Sequence, residues 1–76
     1  MTFKEAMDKI KEENHISLTV IGELVGVSYV SMYQRYNDKA KGQLRLATAI
    51  KFYKRFGVVI DPYTQETLDN VIKARS

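Results

Sequence analysis

Residues 18–36 read Leu18-Thr19-Val20-Ile21-Gly22-Glu23-Leu24-Val25-Gly26-Val27-Ser28-Tyr29-Val30-Ser31-Met32-Tyr33-Gln34-Arg35-Tyr36. Two short segments of helical periodicity meet in this stretch at Gly26-Val27-Ser28. Ser17 is placed to cap the first segment and Ser28 the second, because a serine hydroxyl can accept from an unpaired N–H of a first helical turn. In the first segment Val20, Ile21, Leu24 and Val25 share a face. Gly26 ends it, since glycine tolerates the left-handed backbone of a helix stop. Gly22 stands inside the segment, where glycine costs about 1 kcal/mol against alanine. A residue without a side chain at that place implies close approach of another helix. In the second segment Met32 and Tyr36 fall on one face, and Val30 and Gln34 on the opposite one. Tyr29 and Tyr33 run along one flank, Ser31 and Arg35 along the other. Two helices joined by a three-residue turn form a helix-turn-helix, spanning about residues 17–36.

The flanking sequence continues in helices. Thr2-Phe3-Lys4-Glu5 fits a capping box, and Phe3, Met7 and Ile10 then recur on one stripe of a helix over residues 3–14. Residues 37–42 make a polar loop. A fourth helix is expected over residues 43–56, with Leu46, Ala47, Ile50, Tyr53 and Phe56 as its buried stripe and Gly57 as its stop. Val58-Val59-Ile60 reads either as an extended connector on the core or as a lone strand. Asp61-Pro62 resembles an N-cap followed by proline at the first helical position, which predicts a last helix over residues 62–74 with Leu68, Val71 and Ile72 on its apolar side. The expected class is all-α, in one domain over residues 1–76, because 76 residues fall below the usual size of even one average domain.

Composition removes several functions. Cysteine is absent and His15 is the single histidine, which leaves neither a disulfide framework nor a thiolate or multi-histidine metal site. The glycines Gly22, Gly26, Gly42 and Gly57 do not fit a phosphate-loop or dinucleotide spacing. Glu12 and Glu13 are adjacent and diverge on a helix, while Asp61 and Glu66 suit caps and helix faces. No catalytic residue, metal or cofactor is therefore expected, and the chain is read as a non-enzyme. No apolar run approaches the roughly 20 residues of a membrane span, and the charged start is unlike a secretory signal. The expected location is the cytoplasm.

Charge is unevenly placed. Residues 27–57 carry Arg35, Lys39, Lys41, Arg45, Lys51, Lys54 and Arg55 against Asp38 alone, a balance of +6, while the whole chain is only +3. A localised positive field suits a polyanion, of which nucleic acid is the commonest. Lys51, Lys54 and Arg55 also suit the C-terminal dipole of the fourth helix, a purely structural explanation for them.

Ile21, Gly22, Val25, Gly26, Val27 and Met32 together resemble the Cro/CI-type, lambda-repressor-like helix-turn-helix family of phage repressors and bacterial regulators. The resemblance extends from the Ile16-Ser17 start of the motif through Leu46-Ala47 to Phe56-Gly57-Val58, and covers roughly residues 3–63. Leu18 stands where the family often has glutamine, and Arg35 where it usually has a small or aliphatic core residue. The resemblance implies a compact four- to five-helix domain that acts as a dimer on a partly palindromic operator of double-stranded DNA. It implies that helix 29–36 lies in the major groove, with Tyr29, Val30, Tyr33 and Gln34 reading bases. Gln34 can bond adenine and Val30 can touch a thymine methyl. Ser17, Thr19, Ser28, Asn37, Lys39 and Lys41 are the implied phosphate contacts, which set register and salt dependence.

The first functional expectation is accordingly a small transcriptional regulator of phage type, acting as a repressor by occupying its operator. Dimerisation through Leu68, Val71 and Ile72 is one role for the last helix; closing the core is the other. The rival expectation is a protein-interaction module on the same scaffold, such as an antirepressor or a modulator of another regulator. Tyr29, Val30 and Tyr33 are more apolar than most base-reading faces, and exposed apolar clusters mark protein interfaces. A regulatory protein partner belongs to that reading.

Overall fold

The computed structural model describes residues 1–75. It contains α1 (Phe3–Asn14), α2 (Leu18–Val25), α3 (Tyr29–Tyr36), α4 (Leu46–Phe56) and α5 (Gln65–Ala74), with no strand among the described residues. The all-helical class and the limits of the first three helices follow the sequence reading.

Local chemistry explains these limits. Thr2 Oγ1 accepts from Glu5 N at 3.1 Å while Glu5 Oε1 accepts from Thr2 N at 2.8 Å, completing the capping box of α1. His15 closes α1 in the left-handed region. Ser17 Oγ accepts from Val20 N at 3.3 Å and Ser28 Oγ from Ser31 N at 3.3 Å, opening α2 and α3.

The core is one apolar cluster. Phe3, Ala6, Met7 and Ile10 of α1 meet Ile21 and Val25 of α2, Met32 of α3, Ala49, Ile50 and Phe52 of α4, and Leu68 of α5. Leu44, Val58 and Ile60 enter it from the connecting segments. Phe3 and Phe52 meet edge to face with centroids 5.8 Å apart, the arrangement that suits the quadrupoles of two aromatic rings. Val58 and Ile60 point inward with Val59 half-exposed between them, so the segment is an extended connector. Met1 lies alongside it, its ammonium donating to Val59 O at 3.3 Å and its carbonyl accepting from Asp61 N at 2.8 Å.

Several expectations are corrected. The fourth helix begins at Leu46 rather than at residue 43. Leu44 is buried in the core and its carbonyl accepts the Tyr63 hydroxyl at 2.6 Å, and Arg45 is extended, so the approach to the helix is pinned in a non-helical path. The buried stripe of α4 is Ala49, Ile50 and Phe52; Leu46, Tyr53 and Phe56 are half-buried on the core and Ala47 is exposed. A helix flanked by α2 and α5 buries a wider and differently centred arc than a single stripe counted from Leu46. The last helix starts at Gln65, not Pro62. Thr64 is the cap, its Oγ1 accepting from Thr67 N at 3.2 Å, while the Asp61 carboxylate is engaged by the Met1 ammonium at 3.2 Å. Asp61-Pro62, a cis peptide, lies in the turn before it. On α2, Leu24 is exposed rather than part of the buried face.

Candidate nucleic-acid interface

The turn between α2 and α3 is built around Gly22. Its carbonyl accepts from the N–H groups of Gly26 and Val27, the latter at 2.9 Å. A Cβ placed on Gly22 would stand 2.8 Å from the Val27 carbonyl oxygen and 2.9 Å from Met32 Cγ. Neither atom can withdraw easily, because one is backbone and the other belongs to a side chain with no solvent exposure. Gly26, at φ 73°, then reverses the chain toward Ser28.

This seating fixes which side of α3 faces outward. Met32 anchors its inner face in the core. Tyr36 anchors its last turn on α1: the hydroxyl donates to Asp8 Oδ1 at 2.6 Å, and the ammonium groups of Lys4 and Lys11 lie 5.1 and 5.3 Å from the ring centre. Both cations are in range for attraction to the ring face. The Tyr36 hydroxyl, and after it the Lys4 ammonium, hold the Asp8 carboxyl below the ordinary aspartate range. The same carboxylate raises the Lys4 ammonium above its usual value.

The outward side carries Tyr29, Val30, Tyr33 and Gln34, all exposed. Tyr29 and Tyr33 sit one turn apart with ring centres 5.4 Å apart and planes inclined by 40°. Their contact pairs two exposed aromatic rings on the helix that also exposes Val30. The structure thus brings the four expected base-reading residues onto one helix surface.

The six expected phosphate contacts are spread more widely. Thr19 is exposed on the first turn of α2, next to the cap Ser17. Lys39 and Lys41 are exposed in the loop after α3. Asn37 is spent as the end of α3, its Nδ2 donating to Tyr33 O at 2.9 Å. The Ser28 hydroxyl donates to Ser31 Oγ at 3.0 Å while accepting from Ser31 N. Ser31, an exposed hydroxyl of this pair, is a contact candidate that the sequence reading did not single out.

A groove of about 470 Å3 opens beside the flank of α3. Ser28, Ser31 and Arg35 line it from α3, Lys41 and Gln43 from the loop, and Arg45 and Thr48 from the start of α4. Its lining holds three cations and no carboxylate. Arg45 stands at the N-cap of α4 with no side-chain cap bond, so the positive end of that helix dipole also faces the groove region. Arg35, at a nominally inward position, reaches sideways to Gly42 O at 3.4 Å; a long stem lets the charged head leave the core. Arg35 and Arg45 are thus cations of this surface that the sequence reading left unassigned to it. The signal for Arg45 lies in the positive balance of residues 27–57, but an expected helix start at residue 43 hides its place at a helix mouth.

Comparisons with family models, curated proteins and solved structures find no match for this chain. No helix among the described residues is long and apolar enough to cross a membrane.

Proposed function

We propose that this protein is a sequence-specific, double-stranded-DNA-binding regulator of the Cro/CI kind, placing α3 in the major groove. The observation that carries the reading is the outward face of α3. Four side chains able to touch base edges stand together on a helix whose inner face is locked by Gly22 and Met32. Gln34 would bond an adenine edge, Val30 a thymine methyl, and the two tyrosines would reach bases or phosphates. Lys39 and Lys41, with Arg35 and Arg45 across the groove, would hold the backbone and give the affinity its salt dependence. In this reading Ser17, Thr19 and Ser31 add hydroxyl contacts at the ends of α2 and α3.

A homodimer on two half-sites completes the proposal. Leu68 is fully buried in the chain's own core, so the dimer contact would fall to Val71 and Ile72, which are half-exposed. Selection from a randomised duplex pool tests the reading. A recurring motif, with its two halves about one helical turn apart, is expected; recovery of no preferred sequence contradicts it.

A second reading rests on one observation. Tyr29, Val30 and Tyr33 are each at least half exposed, and such an aromatic-aliphatic cluster also suits a protein surface. An antirepressor or modulator acting on another regulator would use that same face. Binding of a protein partner that is lost in Tyr33→Ala, with no DNA binding, would select it.

A further inference from the structure

A second groove lies between α2 and α4. It measures about 450 Å3 and is lined by Leu24, Val25, Lys51, Lys54 and Arg55. Gly22 faces α3, and Leu24, two residues on, is turned by about 200° around the helix axis. None of the groove's lining residues belongs to α3, although a Cβ on Gly26, in the turn before α3, would stand 3.9 Å from Lys51 Nζ.

Two features of this groove call for an occupant. Leu24 is 40 % exposed, although α2 has every chance to bury it within a small core. The three cations around it have the same sign, and none takes part in an ion pair among the described residues, where the pairs involve Met1, Lys4 and Lys9. Attraction to helix ends accounts for where the cations stand, since Lys54 and Arg55 lie in the last turn of α4. It does not account for the exposed leucine that shares the groove with them. A docking surface commonly sets apolar side chains within a polar rim.

We propose that this groove docks an acidic amphipathic segment of a partner protein, with an apolar side chain packed on Leu24 and carboxylates facing Lys51, Lys54 and Arg55. Charge complementarity selects an acidic partner. The leucine favours a protein side chain over a nucleic-acid backbone, whose surface is dominated by charged phosphates. No residue of α3 lines the groove, so in this proposal the partner and a ligand on α3 bind together. The surface would couple a bound regulator to a second protein, and it exists whether or not α3 reads DNA.

The test is a backbone-amide NMR titration of the full chain with three probes. They are a helical peptide of about 15 residues built from leucine and glutamate, its leucine-lysine counterpart, and a duplex DNA. The acidic peptide is expected to shift Leu24, Val25, Lys51, Lys54 and Arg55 while leaving Tyr29, Val30, Tyr33 and Gln34 in place; the lysine peptide should shift none of them. Reversing Lys51 and Lys54 to glutamate should weaken the acidic peptide about tenfold. Leu24→Ser, with its fold checked by the dispersion of its amide spectrum, should weaken it comparably. Absence of localised shifts overturns the proposal, as does an acidic-peptide response indifferent to Leu24→Ser, which reports charge alone. Shifts of these five amides by DNA, or with protein concentration alone, overturn it in favour of a nucleic-acid surface or a second copy of the chain.

Discussion

The Tyr36 hydroxyl donates to Asp8 Oδ1 at 2.6 Å and ties the last turn of α3 to α1. The inner side of α3 is thus held at Met32 in the core and at Tyr36 on its edge, which leaves the first turns to present Tyr29, Val30 and Tyr33 outward. Replacing Tyr36 by phenylalanine keeps the ring beneath Lys4 and Lys11 but removes the bond. Amide exchange in α3 is expected to quicken while the circular dichroism of the folded state is retained; unchanged exchange would show that Met32 alone seats the helix.

Asp8 also gives the fold a pH dependence. Its carboxyl is held below the ordinary range by Tyr36 and then by Lys4, and Glu5 is lowered by the Thr2 backbone and hydroxyl. A depressed carboxyl contributes stability in full above its unfolded value, near about 4, and loses it as pH falls through the lower folded value. The denaturation midpoint is expected to be level near neutrality and to fall below about pH 4. Asp8→Asn should lower the midpoint at neutrality and make the acid limb shallower, as followed by thermal melts across pH.

Of the four glycines, Gly22 alone has no room for a side chain. A side chain there meets the Val27 carbonyl and Met32 Cγ at under 3 Å. Gly22→Leu is expected to lower unfolding free energy by about 1–3 kcal/mol or more through overpacking, despite the better helix propensity of leucine. Chemical denaturation checks this; a variant as stable as the parent contradicts the close crossing of α2 and α3.

Much of this frame is legible in sequence because the caps are local. Thr2, Ser17 and Ser28 each act within their own first turn, so their residue type nearly fixes the helix start. The start of α5 escaped because Asp61 and Thr64 compete as caps. In the fold Thr64 accepts from Thr67 N, while the Asp61 carboxylate meets the distant Met1 ammonium instead. Phe52 escaped for a similar reason: its partner Phe3 lies 49 positions away in the chain, and no periodicity within α4 reports it. On the candidate interface, the exposure of Tyr29, Val30, Tyr33 and Gln34 follows from their being opposite or beside Met32. The Ser28–Ser31 hydroxyl pair and the sideways path of Arg35 depend on side-chain geometry that spacing does not carry.

Gln34 is the residue on α3 best suited to discriminate a base. Gln34→Ala is expected to reduce sequence discrimination by about 1–3 kcal/mol while leaving the melting temperature unchanged. Competition between a selected duplex and its single-position variants measures this. Equal loss on every duplex would assign Gln34 to the backbone instead.

Lys39 and Lys41 make the complementary prediction. Removing both should weaken binding to all duplexes alike and reduce the slope of log affinity against log salt by about 2, near one for each phosphate no longer neutralised. Retention of the parent slope would place these lysines away from DNA.

The most direct measurement is a fluorescence-anisotropy titration of the chain against a mixed pool of duplex DNA at two salt concentrations about fourfold apart. A protein making several phosphate contacts loses affinity by orders of magnitude over such a range. Tight binding at the lower salt that falls steeply at the higher, with some sequences retained, is the predicted result. No binding at the lower salt would contradict the assignment of α3 as a DNA-reading helix.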